Sequence, residues 1–183
     1  MFRLTLFLTL TLFFFNSRIS AQAYKRYVDS SRGFSLDIPT YWAIKYSKEQ
    51  GGVICVPITK AEKSIFKDCF EGIVFRMDFF NFGLDSTLAE QGYVKVGATW
   101  YTSDRVNDSV RTENIKGRSW KGIYHNNVCG ISCGDNGFHA AGGECQFLYF
   151  SNGRTTVCID TNGRGFDDGV LKRIISSFNF TKK

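Results

Sequence analysis

Residues 30–39 read SSRGFSLDIP and contain the clearest strand signal of the chain. Four turn-forming residues precede a segment in which apolar and polar side chains alternate with period two, as they do in a half-buried β-strand. We expect the polar members Ser35 and Asp37 to face solvent, and Pro39 to end the strand because proline cannot donate to a β-ladder. The residues expected to face the core are Phe34, Leu36 and Ile38.

Outward from this segment, short apolar runs separated by Gly, Ser, Asn and Asp predict mainly strands. Asn152-Gly153 predicts a hairpin with a two-residue turn, which would pair Phe147 with Cys158 and Cys145 with Asp160. The run at 72–82 is the longest strand candidate. The full set of predicted strands is 24–28, 34–38, 43–46, 53–58, 72–82, 94–102, 110–115, 118–124, 146–150 and 155–159.

Helices are predicted in two places, and residues 59–67 form a loop or a short helix. Thr87 and Glu90 have capping-box spacing, which predicts a short helix over 86–91. Apolar residues from Phe166 to Phe178 recur on one helical face, with two aspartates near the helix start. These elements predict an α+β fold in which helices pack on an antiparallel β-sheet.

The N-terminus has the order of a secretory signal peptide: a positive start, an uncharged Leu, Phe and Thr run, and small residues at the end. We predict a signal peptide at 1–21 and a single domain at 22–183, with cleavage after Ala21 or, alternatively, after Ala23. The apolar run is shorter than the roughly 20 residues that a spanning helix needs. We therefore expect a secreted or periplasmic protein without a stable membrane anchor.

The net charge of +6 is carried by scattered Lys and Arg residues. Because no basic run or nucleic-acid motif accompanies this charge, we expect no nucleic-acid partner.

The segment Gly33–Pro39 followed by Trp42, together with the closing Leu171–Phe180, resembles PsbP-like domains of the Mog1/PsbP/DcrB-like group. The resemblance implies an α/β/α sandwich around an antiparallel sheet and a last helix followed by a short strand. Members of that group are mostly binding or assembly modules. The resemblance carries over no catalytic residue, and the pattern does not include the cysteines or the Gly-rich segment 126–144.

All six cysteines lie after the predicted signal peptide, which indicates a disulfide-stabilised exported domain. Sequential pairing requires only local contacts and comes first among the possible connectivities. A rival pairing links Cys129 or Cys133 to Cys145 and pins the Gly-rich segment. The sequential pairs are Cys55–Cys69, Cys129–Cys133 and Cys145–Cys158.

Three patterns could indicate chemistry, and we interpret each as structural. Ser132 lies in a Gly-x-Ser-x-Gly match, but no parallel α/β sheet surrounds it. Asp160 to Asp168 suggests a calcium loop, yet Arg164 occupies a ligand position. A zinc site is the third pattern, and in an exported protein we favour oxidised cysteines over it. Its four ligands would be His125, Cys129, Cys133 and His139.

The resulting hypothesis is a non-enzymatic binding or assembly domain of PsbP-like type, without metal or cofactor. Its partner would be a protein or small ligand in the extracytoplasmic space, bound by the Gly-rich segment, because irregular loops on rigid scaffolds often carry binding residues. The alternatives are a small secreted hydrolase or zinc-dependent enzyme, or an envelope inhibitor or immunity protein. The candidate binding residues are His125, Asn126, Asn127, Asp135, Asn136 and His139.

Overall fold

The computed structural model describes residues 22–49, 51–66, 72–104, 107–129, 132–134, 137–139, 143–161 and 163–181, with the backbone alone for 132–134 and 137–139. The predicted signal peptide and Cys69 lie outside the described residues. Within them, no helix has the length and apolar character needed to cross a membrane.

The described elements alternate strands with three short helices. The strands are β1 (Tyr24–Asp29), β2 (Phe34–Pro39), β3 (Trp42–Ser47), β4 (Gly52–Pro57), β5 (Phe75–Phe80), β6 (Val94–Val96), β7 (Thr99–Thr102), β8 (Val110–Arg111), β9 (Glu113–Lys116), β10 (Lys121–Val128), β11 (Ser132–Gly134), β12 (Gly137–His139), β13 (Glu144–Ser151), β14 (Thr156–Asp160) and β15 (Asn179–Phe180). The helices are α1 (Lys60–Phe66), α2 (Leu84–Glu90) and α3 (Asp168–Ser177).

A seven-stranded antiparallel sheet forms the centre of the fold, in the order β3-β4-β5-β14-β13-β10-β9. Smaller sheets accompany it: β1-β2-β15, β6-β7-β8 and the pair β11-β12. The predicted α+β class with an antiparallel sheet is confirmed. The architecture is richer in sheet than the expected α/β/α sandwich, since additional strands as well as the short helices cover the central sheet.

The strand β2 lies between the central sheet and α3, and its three apolar side chains are buried in the main core as predicted. The prediction that Ser35 and Asp37 face solvent is wrong, because both are buried. Arg26 donates to Asp37 Oδ1 at 3.0 Å and to Ser35 Oγ at 2.7 Å, and Arg173 forms an ion pair with Asp37 at 2.5 Å. The neighbouring strand β1 and helix α3 thus pair with the polar face of β2.

The helix α3 closes the main core and confirms the predicted C-terminal helix. Val170 and Ile174 are its buried residues, and the Asp167 side chain caps its N-terminus by accepting the Val170 N–H at 2.9 Å. The cap supplies a partner for a helix N–H group that lacks one within the helix. After α3, the strand β15 pairs with β2, which matches the helix and short strand that the resemblance implies.

Several element boundaries differ from the predictions. Instead of the longest strand over 72–82, the structure has the six-residue strand β5, whereas β10 and β13 each contain eight residues. The strand predicted over 94–102 is a hairpin that turns at Gly97, where φ is 60°. Thr87 lies inside α2, because its N–H already bonds to the Gly83 carbonyl, so the predicted capping box is wrong.

The predicted hairpin at Asn152-Gly153 is present, but its loop contains four residues, Asn152–Thr155, instead of two. The register therefore shifts by two positions. Phe147 pairs with Asp160, and Tyr149 pairs with Cys158, so the pairing of Phe147 with Cys158 is wrong.

Candidate functional site

Three of the candidate binding residues lie in sequence at the end of β10, where β10 pairs with β13. Asn126 is exposed, Asn127 is half-buried and His125 is 2% exposed. Asp135 and Asn136 lie outside the described residues, and the side chain of His139 does as well. The structure therefore places the first three residues together and does not place the other three relative to them.

The His125 imidazole is held by hydrogen bonds at both ring nitrogens. Its Nε2 lies 2.5 Å from the Tyr93 hydroxyl, and its Nδ1 lies 2.8 Å from Asn127 Oδ1. Because a carboxamide oxygen only accepts, Nδ1 carries the proton and Nε2 accepts from the Tyr93 O–H. Phe147 stacks on the ring at 5.0 Å between centroids. Burial lowers the pKa of His125 to about 4, so the imidazole is neutral at pH 7.

A second hydrophobic core surrounds this network. Its residues come from α2, β7, β10, β13, β14 and the loop after α2: Leu84, Leu88, Tyr93, Trp100, Ile123, Tyr149 and Cys158. The Tyr93 and Tyr149 hydroxyl oxygens lie 3.4 Å apart, and burial raises the pKa of both phenols. Hydroxyl and imidazole groups that could take part in acid–base chemistry are thus enclosed by apolar side chains and bonded to each other.

A disulfide between Cys129 and Cys145 lies beside this network, with the two Cα atoms 5.6 Å apart. Cys145 pairs across the sheet with Asn127, and Cys129 follows one residue after the end of β10. The Cys129 N–H also donates to the Gly143 carbonyl at 3.0 Å. The bond ties together the two ends of the Gly-rich segment.

This bond matches the rival pairing and contradicts the sequential one. Cys158 and Cys55 are free, buried thiols, so Cys145–Cys158 and Cys55–Cys69 are wrong. Cys129–Cys133 is wrong as well, because Cys129 bonds to Cys145. Burial raises the pKa of the Cys55 and Cys158 thiols, which keeps both protonated.

The alternative zinc site is contradicted by the same contacts. Both nitrogens of His125 already have hydrogen-bonding partners, and Cys129 is oxidised. Two of the four proposed ligands are therefore engaged elsewhere. Across the described part of the chain, no group of three or more His, Cys, Asp or Glu residues could hold a metal ion.

The other two chemical patterns also have structural explanations. Ser132 begins β11, which pairs antiparallel with β12, so the strand-to-helix turn of a nucleophile elbow is not formed there. In the suggested calcium loop, Asp167 caps α3, and Thr161 Oγ1 accepts the Gln146 N–H at 2.8 Å. These contacts belong to a connection between a strand and a helix.

A basic groove made of two clefts was missed by the sequence analysis. The first cleft, of about 750 Å³, is lined by four cationic residues, Arg26, Lys116, Arg118 and Arg173, and by the carboxylate of Asp37. The second cleft, of about 410 Å³, contains Arg32 and Arg154. The cations come from segments far apart in the chain, so no basic run in the sequence could indicate them.

The comparisons with known proteins support the fold. No family model and no curated protein matches the chain. The solution structure of cyanobacterial PsbP (CyanoP) from Synechocystis sp. PCC 6803 is similar at a TM-score of 0.50 and 11% identity, covering 89% of this chain and 95% of that one. A crystal structure from Bacteroides thetaiotaomicron VPI-5482 has a TM-score of 0.41 and 13% identity, and the match covers 87% of this chain and 49% of that one. The similarity to CyanoP shows a PsbP-like fold.

Proposed function

We propose that this protein is a secreted or periplasmic, non-enzymatic binding domain of PsbP-like type. Its partner-binding surface would be the anchored loop, which we define as residues 130–144 between the two bonded cysteines. The observation that carries this proposal is the Cys129–Cys145 disulfide, which spans a sequence separation of 16. It fixes both ends of the loop on the long paired strands β10 and β13, and rigid scaffolds of this kind often present binding loops.

The closed state of the second core favours binding over catalysis. His125, Tyr93, Tyr149 and Cys158 are all buried. Their pKa values are shifted toward the neutral forms, so none supplies an exposed base or an activated nucleophile at pH 7.

The predicted signal peptide and the disulfide together support an extracytoplasmic location, because disulfides persist in oxidising compartments. N-terminal sequencing of the protein recovered from the periplasm or the medium tests this part of the proposal. We expect the mature chain to begin at Gln22 or Tyr24. Recovery of the chain in the cytoplasm with Met1 intact would contradict it.

The binding surface can be tested by capture of partners from a native envelope extract with the tagged mature chain. The loop variant is Asp135→Ala/Asn136→Ala/His139→Ala. The control variant is Lys48→Ala/Glu49→Ala/Glu90→Ala, which removes three exposed side chains elsewhere. We expect the wild type and the control to capture the same partner and the loop variant to lose it.

Two results would contradict the proposal. Equal capture by the loop variant would exclude the anchored loop as the binding surface. Ester or amide hydrolysis by the purified protein that disappears in Ser132→Ala would show an enzyme. If the captured partner is a toxin or an enzyme whose activity falls on binding, the protein belongs to the inhibitor or immunity subclass.

A further inference from the structure

We propose that the basic groove binds an acidic segment of a protein partner. This inference concerns residues that are not part of the anchored loop and goes beyond the function proposed above. It rests on the arrangement of charge around the turn between β9 and β10 and around the end of α3.

The first cleft already holds one carboxylate between two arginines. Arg26 and Arg173 both pair with Asp37, and Arg26 also donates to the Ser177 carbonyl at 2.7 Å. The buried carboxylate of Asp37 shows that the arginines of this cleft can bind such a group. One negative charge, however, balances only part of the positive charge of the cleft.

The remaining cations of the first cleft lie at the end of β9 and on the turn that follows it. Lys116 and Arg118 are exposed, and neither has an ion-pair partner in the described part of the chain. Lys116 also lies directly opposite Lys121 in the β9–β10 ladder. Like charges directly opposite each other destabilise a β-ladder. An acidic ligand at this turn would relieve that repulsion.

The two clefts of the groove lie next to each other. Ser119, which lines the second cleft, donates its hydroxyl to Oδ1 of Asn179, which lines the first, at 3.1 Å. Arg154 and Arg32 line the far side. Over both clefts the lining contains six cationic side chains and one carboxylate, and Arg32 pairs in addition with Asp29, outside the lining, at 3.0 Å. A chain with several negative charges would match this pattern better than a single small anion.

The side chains of the groove favour a peptide over other polyanions. The aromatic residues that line it, Trp120, Phe178 and Phe180, are all buried, and the Trp120 Nε1–H donates to the Phe178 carbonyl at 2.9 Å. The lining therefore offers no exposed aromatic face on which nucleic-acid bases could stack. Among the described lining residues, the aliphatic side chain is Ile175, which is half-buried, so the groove presents little of the exposed apolar surface that enters a lipid interface. Arginine and lysine, by contrast, pair well with carboxylates.

The test is the affinity of a fluorescently labelled oligoglutamate peptide, measured by anisotropy at low salt with the mature chain. Lys116→Glu/Arg118→Glu should weaken binding by about tenfold or more, since it reverses two unpaired charges at the site. The control Lys48→Glu/Lys60→Glu changes the net charge equally at exposed positions outside both clefts. It should change the affinity by less than about threefold.

Two outcomes with the oligoglutamate peptide would overturn the inference: no binding by the wild type, or an equal loss of affinity in both variants. A third would be binding of single-stranded DNA or phosphatidylglycerol vesicles that is tighter than binding of the peptide and equally sensitive to Lys116→Glu/Arg118→Glu. Lys116→Gln/Arg118→Gln repeats the test if the charge reversal prevents folding, as judged by circular dichroism. Neither variant alters the anchored loop. Failure here would therefore leave the partner capture by that loop unaffected.

Discussion

His125 and Asp160 flank Phe147 in the central sheet and have pKa values shifted toward each other. Both residues pair directly with Phe147, one from β10 and the other from β14. Burial lowers the pKa of His125 to about 4, whereas burial, aided by the negative charge of Asp78, raises the pKa of Asp160 to about 6. Burial therefore shifts both residues toward their neutral forms, although Asp160 still ionises above about pH 6.

The two shifts affect stability in opposite directions over the same pH range. Unfolded His125 binds a proton near pH 6.5 that the folded form binds only near pH 4, so its contribution to stability is lost as the pH falls through this window. Folded Asp160 keeps a proton up to about pH 6 that the unfolded form releases near pH 3.8, so its contribution is lost as the pH rises. Each shift corresponds to roughly 3 kcal/mol.

We therefore expect the single variants to show opposite pH dependences. In Asp160→Asn, the His125 contribution is no longer opposed. The free energy of unfolding should therefore increase as the pH rises from about 4 to 6.5, more steeply than in the wild type. In His125→Gln, only the Asp160 contribution remains. The free energy of unfolding should therefore decrease as the pH rises from about 4 to 6. Urea unfolding across this range measures both. Curves that run parallel to the wild type for both variants would contradict the assigned shifts.

At the scale of elements, the β13–β14 hairpin shows why strands were easier to predict than their pairing. The Asn152 side chain accepts the N–H groups of Arg154 and Thr155, both at 2.9 Å, and Gly153 has a φ of 92°. These contacts stabilise a four-residue loop in place of the predicted two-residue turn. The register shifts by two, which keeps each side chain on its face because the period of a strand is two. The hairpin itself was predicted correctly, but its cross-strand partners are different.

The cap of α3 provides a test at the same scale. Asp167→Ala should lower the free energy of unfolding by about 1 kcal/mol, because the Val170 N–H loses its side-chain acceptor. Asp168→Ala is the matched control, since Asp168 is also exposed in the first turn but is not the capping residue. Its loss should stay within about 0.5 kcal/mol. Equal losses in the two variants would exclude a specific contribution of the cap.

At the scale of the whole molecule, the two hydrophobic cores separate the free thiols. Cys55 belongs to the main core and Cys158 to the second core, and these cores lie on opposite faces of the central sheet. The thiols cannot meet without unfolding of the sheet. Both are buried, and each has a raised pKa, so both lack the exposed thiolate that reacts with alkylating agents.

We expect iodoacetamide to leave Cys55 and Cys158 unlabelled in the native protein and to label both after denaturation without a reductant. Cys129 and Cys145 should be labelled only after reduction and denaturation, because they are bonded to each other. Mass spectrometry of the digested protein distinguishes these states. A crosslinked peptide containing Cys145 and Cys158 would restore the sequential pairing and contradict the observed register.

Local sequence patterns were sufficient to predict several elements of this protein. The alternation before Pro39, the Asn152-Gly153 turn and the apolar face of α3 each depend on neighbouring residues, so β2, the hairpin and the last helix could be predicted. Four features could be seen only in the folded structure. They are the burial of Ser35 and Asp37, the Cys129–Cys145 bond, the hydrogen bond between Tyr93 and His125, and the basic groove. Each of these depends on contacts between segments distant in the chain, and only the folded sheet brings those segments together.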